Sequence, residues 1–168
     1  MNPNQKLDVL KTLLVFLESE NIQFEIEIDE VNRKVIKIED EFPSIYQSAI
    51  IYFVNDNKLC FTIENRVQIF GDKYQILKDF YNLYCKFLPI TQWAANVSIG
   101  ENGNVIAWSV IHLDQIEELN IDRIEQHYYG TQFQYHSFFV GIREIYQLNK
   151  TAEEAMEEVH RNSNASTN

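Results

Sequence analysis

Residues 95–113 read ANVSIGENGNVIAWSVIHL, and this stretch decides the fold class. Two strand-like runs, Ala95 to Ile99 and Val105 to Leu113, flank Gly100-Glu101-Asn102-Gly103-Asn104. A type I′ turn needs positive φ at both central positions, which Asn102-Gly103 supplies readily. The two runs therefore fold back on each other as antiparallel neighbours. Hairpin signals of this kind exclude a doubly wound parallel sheet.

Upstream, the run Ser48 to Val54 is apolar on both faces, as expected of a central strand covered on each side. Asn55-Asp56-Asn57 reads as a second hairpin loop, because Asn and Asp tolerate positive φ. Leu59, Phe61 and Ile63 continue it as the return strand. Further upstream, Ile22, Phe24, Ile26 and Ile28 alternate with Gln23, Glu25 and Glu27, the period of a strand with one wet face. A turn over Asp29 to Arg33 leads to another strand, Lys34 to Glu39. Before all of these, Leu7, Leu10, Leu14 and Leu17 recur at helical spacing, with Val9, Leu13 and Phe16 widening the stripe to Glu20-Asn21.

Between the two halves, Asp72 and Gln75 suggest a capping box for a helix from Lys73 to about Leu88, stopped by Pro89. Its apolar residues, Tyr74, Ile76, Leu77, Phe80, Tyr81, Leu83, Tyr84, Phe87 and Leu88, cover nearly the whole circumference. Such a helix must be buried on more than one side, and a second subunit is one source of the extra surface. Downstream, Asp114 with Glu117 is a possible capping box, followed by helical sequence over much of Gln115 to Lys150, with breaks near Asn120 and Gly130. Residues 1–150 are thus expected to form a single α+β domain of order α-ββββ-α-ββ-α. An antiparallel sheet of five or six strands carries its helices mainly on one face. Residues 151–168 are expected to be an acidic, mobile tail. Within them Thr151 and Glu154 are placed to cap a short helix, although Glu153/Glu157 and Glu154/Glu158 put like charges at i,i+4.

The chain of 168 residues is 45% hydrophobic with a net charge of −11, from 25 acidic and 14 basic residues. It is long enough to bury a core and too apolar for intrinsic disorder. The acidity and the lack of any Lys/Arg cluster argue against nucleic acid and anionic membranes as partners. The polar start and the lack of a long apolar run suggest a cytoplasmic protein with no membrane segment. Cys60 and Cys85 read as buried reduced thiols.

Chemistry is sparse. His112 and Asp114, with Glu117 or Glu118, are the nearest thing to a metal set, and their spacing matches no established pattern. His127 and His136 read as polar positions at the edge of an aromatic cluster, and His160 falls in the tail. Neither cysteine has a histidine or a helix N-terminus beside it to lower its pKa. A nucleophile elbow, a phosphate-binding glycine loop and a dinucleotide fingerprint are all lacking. No catalytic residue, cofactor or metal site is assigned. The aromatic run Tyr128-Tyr129, Phe133, Tyr135, Phe138 and Phe139 reads first as core and alternatively as an interface. The candidate protein interface is Tyr81, Tyr84, Trp93, Trp108, Tyr128 and Tyr129.

Between Leu7 and Lys150 the order of elements resembles the type III secretion chaperone-like fold, including the related YbjN family. The stretch that carries the resemblance is Trp93-Ala94-Ala95-Asn96-Val97, leading into the Asn102-Gly103 hairpin and then Leu113-Asp114. The resemblance implies a homodimeric, non-enzymatic protein that binds another polypeptide, partly by adding strands and filling apolar grooves. For YbjN-like members it implies a regulatory or stress-related binding role. The alternatives are a small metal-dependent enzyme or ligand binder using His112 to Glu118, and an immunity-type or structural partner in a larger assembly.

Overall fold

The computed structural model describes residues 3–30, 34–39, 47–54, 57–65, 71, 73–87, 95–100, 104–115 and 119–165. In chain order these form α1 (Pro3–Ser19), β1 (Gln23–Ile28), β2 (Lys34–Glu39), β3 (Gln47–Val54), β4 (Lys58–Asn65), α2 (Lys73–Phe87), β5 (Ala95–Ile99), β6 (Val105–His112), α3 (Ile121–Leu148) and α4 (Ala152–Ala165). The strands make one six-stranded sheet of order β1-β2-β3-β4-β6-β5, with every neighbouring pair antiparallel. The α+β class, the antiparallel sheet and the placing of the first eight elements are as the sequence leads one to expect.

The pleat explains how the sheet is covered. Ile36, Ile51, Phe61, Ser109 and Ala95 form one row across five strands, and Ile38, Ala49, Ile63, Ala107 and Val97 form the next. Both rows point toward the helices, where these residues are buried or, for Ala49, half-buried. Two apolar clusters result. α1 and the first turns of α3 cover β2, β3, β4 and the end of β6, around Leu13, Phe16, Leu17, Leu59, Phe61 and Ile124. α2, the rest of α3 and α4 cover the β5 side, around Leu77, Phe80, Tyr84, Phe138, Ile142 and Ile145. α3 spans both clusters.

Where the two clusters meet, the packing is polar. Ser109 and Thr131 hydroxyls lie 2.8 Å apart, and both reach the carbonyl oxygen of His127, at 3.2 and 2.7 Å. These bonds satisfy hydroxyls that are almost completely removed from water.

Three expectations are corrected. α3 starts at Ile121 rather than Gln115, because Asn120 is its N-cap and accepts from Arg123 N. Helix α3 then runs unbroken through Gly130, which is buried. On the face that carries no helix among the described residues, Ile50, Tyr52 and Val54 of β3 are half-buried, and Val35 and Cys60 beside Tyr52 are buried. Cys85 is exposed, whereas Cys60 is buried as expected, and both are free thiols.

Beyond Lys150, where the sequence reading placed a mobile tail, residues 152–165 form α4, with Ala152, Ala155, Met156 and Val159 buried. Its start is the expected capping box: Thr151 N donates to Glu154 Oε2 at 2.9 Å and Glu154 N donates to Thr151 Oγ1 at 3.3 Å. The turn into α4 is fixed by Asn149 in the left-handed region, φ 55°. Lys73 Nζ donates to the carbonyl oxygens of Ile145 and Tyr146 and to Asn149 Oδ1, capping the end of α3. Glu144, only 3% exposed, pairs with Lys150 Nζ at 2.6 Å and with Arg143 at 3.3 Å. The Lys150 hydrogen bond is the main reason that its carboxyl sits below the usual range. α4 also supplies a second surface against α2, whose Tyr74, Ile76, Tyr81 and Leu83 remain half-buried.

Candidate functional site

The expected interface residues do not converge. Tyr84 is buried, its hydroxyl donating to Gln134, and Tyr81 is half-buried one turn earlier on α2. Tyr128 is buried under α1, edge-on to Phe16 with ring centroids 5.4 Å apart. Tyr129 is half-buried and donates to Glu20 Oε2 at 2.6 Å, a bond that pushes its pKa up to about 12. Trp108, 37% exposed, lies on the helix-free face of the sheet. Trp93 lies outside the described residues. Tyr81, Tyr84 and Tyr128 thus spend most of their surface on core packing, while Trp108 faces solvent.

The metal reading fares similarly. Asp114 Oδ2 accepts from Asn57 Nδ2 at 3.4 Å, and His112 ends β6 half-buried. Glu117 and Glu118 lie outside the described residues. Among the described residues no group of three His, Cys, Asp or Glu is placed to hold a metal ion. No helix among them is long and apolar enough to cross a membrane.

Part of the exposed apolar surface lies where sequence alternation gave no warning. β1 pairs with β2 alone, and its outer edge has no partner strand among the described residues. On its helix-facing side Ile26 and Ile28 are 53% and 67% exposed. Lys6 Nζ stands 5.5 Å from the Phe53 ring centroid, so the first turns of α1 lie over this same end of the sheet. Leu7, 50% exposed, belongs to those turns, as does the half-buried Leu10. The opposite side of β1 carries Glu25 and Glu27, and Glu27 pairs with Lys37 at 2.7 Å. An unpaired strand edge with apolar side chains on one face and acids on the other is a template for a further strand.

His127 has a structural rather than a chemical part. It is 8% exposed, stacks on Phe61 with centroids 6.1 Å apart, and its Nδ1 is buried with no hydrogen-bond partner. Burial first, and then the Arg123 charge, push its pKa down to about 4. The folded chain therefore refuses a proton that the unfolded chain, at an ordinary histidine pKa of about 6.5, accepts. Stability from this group is nearly complete at pH 7 and falls progressively as the pH drops toward 4, by about 3 kcal/mol. H127F is expected to remove that fraction of the acid sensitivity, seen as a smaller loss of urea midpoint between pH 7 and pH 5 than in the unaltered chain. An equal loss in both proteins would contradict this role.

No protein-family model matches the chain, and no curated protein matches it. Among solved structures, the Yersinia pestis type III secretion chaperone SycH, in complex with a stable fragment of YscM2, is similar at 14% sequence identity and a TM-score of 0.39. The match covers 88% of this chain and 97% of that one. At that score the likeness carries no argument about function.

Proposed function

We propose that this chain is a non-enzymatic, chaperone-like binding module that holds an extended segment of another polypeptide along the outer edge of β1. The observation that carries this reading is the exposure of Ile26 and Ile28 on an edge strand without a described neighbour. An added strand gains main-chain hydrogen bonds from the edge, and alternate side chains gain selectivity from the two faces. On the helix side the segment meets Ile26, Ile28 and the first turns of α1, so apolar residues suit it. On the other side it meets Glu25 and Glu27, so Lys or Arg suits it, since opposite charges across a strand pair are favourable. The net charge of −11 also favours a basic or neutral segment over an acidic one.

The helix-free face supports a proposed homodimer. Ile50, Tyr52, Ile106 and Val110 are half-buried there, and Trp108 is more exposed. Sedimentation that finds only monomer at every concentration would remove that part of the proposal.

The binding edge itself is tested with a labelled peptide alternating isoleucine and lysine. I26K/I28K is expected to weaken binding about tenfold or more, because each isoleucine brings apolar burial of about 1.5 kcal/mol or more. Its melting temperature should stay close to that of the unaltered chain, since both side chains are already exposed. Equal binding by both proteins would reject the β1 edge as the site.

A further inference from the structure

The two carboxylates on the helix-free side of β1 are not equivalent. Across the strand pair, Lys37 of β2 stands directly opposite Glu25, and Val35 stands opposite Glu27. Lys37 nevertheless reaches diagonally: its Nζ lies 2.8 and 2.7 Å from the two carboxylate oxygens of Glu27. Diagonal neighbours on one face of an antiparallel pair are within reach of so long a side chain. Glu27 is half-buried, whereas Glu25 is exposed and has no hydrogen-bond or ion-pair partner among the described residues. One acidic charge of the edge strand is thus cancelled within the chain, and the other is left open.

That difference matters to a strand added along the outer edge. Such a strand places one residue directly opposite Glu25, with β-carbons about 5 Å apart. Its neighbours before and after turn to the other side, where Ile26 and Ile28 are exposed. Opposite charges at a facing pair are favourable, and like charges are unfavourable. A cation facing Glu27 gains less, because the Lys37 ammonium already holds both oxygens and repels it. Since side chains repeat every second residue, a slip of two residues would move the cation from Glu25 to Glu27. Lys37 therefore disfavours that slip.

Resting on the polypeptide reading of the β1 edge, we propose that Glu25 sets its charge preference and its register. The bound segment carries a Lys or Arg opposite Glu25, between apolar residues that face the isoleucine side. Opposite Glu27 a neutral residue suffices.

The test compares two labelled peptides on the full-length chain by fluorescence anisotropy at low ionic strength. One alternates isoleucine with lysine, and the other alternates isoleucine with glutamine. E25Q is expected to weaken the lysine peptide about two- to fivefold and to leave the glutamine peptide unchanged. K37Q uncovers Glu27 as a second free carboxylate and is expected to tighten the lysine peptide by a similar factor. Added salt should shrink both differences. E157Q changes the net charge as E25Q does, but at an exposed position of α4, and is expected to leave both peptides unchanged. Equal binding of the lysine peptide by E25Q and the unaltered chain would overturn the assignment of Glu25. So would an E157Q effect as large as that of E25Q, because the readout would then be overall charge. If I26K/I28K still abolishes binding in either case, the strand edge stands without its charge readout. Failure of both peptides to bind the unaltered chain would overturn the edge and this inference together.

Discussion

G141A is expected to cost about 3 kcal/mol and to lower the melting temperature by roughly 10 °C. Gly141 is buried in α3, and the Phe80 ring of α2 occupies the space that a β-carbon would need. Phe80 cannot simply swing away. It is completely buried, with the Phe138 ring centroid at 4.9 Å and the Tyr84 centroid at 5.9 Å. A methyl group there forces α2 and α3 apart or drives an aromatic ring out of its rotamer. The mechanism is separable from loss of helical propensity, because alanine is the better helix former of the two. F80L in the G141A background should recover part of the loss, and thermal unfolding of the single and double variants measures it. A G141A chain as stable as the unaltered one would show that the two helices are not in this close contact.

Ending the chain after Lys150 is the second large effect. If residues 151–168 were a mobile tail, their removal would change little. With α4 packed as described, removal uncovers the α2 and α3 surfaces that hold Ala152, Ala155, Met156 and Val159. Burial of the methionine and valine alone stabilises by about 1.5–3 kcal/mol each, and total stabilities of domains run about 5–15 kcal/mol. The shortened chain is therefore expected to lose about 5 kcal/mol and to unfold or aggregate. M156A, a gentler version of the same change, should cost about 2–5 kcal/mol. Urea unfolding measures both, and a fully stable shortened chain would refute the role of α4.

The same segment shows why some of the fold was legible in the sequence and some was not. Strands announced themselves because alternation along Phe24, Ile26 and Ile28, and along Leu59, Phe61 and Ile63, has only one structural explanation at that period. α4 was harder to recognise because its apolar positions are few and small, alanines at 152 and 155 with Met156 and Val159. In a helix rich in glutamate these read as a solvated segment, yet small residues are what allow α4 to lie close against α2 and α3. Capping chemistry was local and visible at Thr151 and Glu154. At the start of α3 the sequence offered Asp114 as the cap and a break near Asn120, and the helix begins at that break with Asn120 as its N-cap.

The candidate sites were less legible for a different reason. An aromatic-rich sequence marks surface area without saying which neighbours will cover it. Tyr84 and Tyr128 were covered by α3 and α1, while Ile26 and Ile28 were left uncovered at the edge of the sheet. Exposure of a regular alternating strand depends on its place in the strand order, and β1 became an edge only through the order β1-β2-β3-β4-β6-β5. A cleft lined by Tyr81, Tyr84, Cys85, Asn96 and Gln134 likewise gathers residues from α2, α3 and β5 that are far apart in sequence.

Hydrogen exchange along β1, with and without the alternating isoleucine–lysine peptide, tests the polypeptide-binding reading most directly. In the free chain the amides that point outward from the edge should exchange quickly, in alternation with those bonded to β2. With the peptide bound, slowing is expected at those alternate outward amides between Gln23 and Ile28, and not along β5. Unchanged exchange across β1 at saturating peptide, or protection confined to another part of the sheet, would contradict strand addition at this edge.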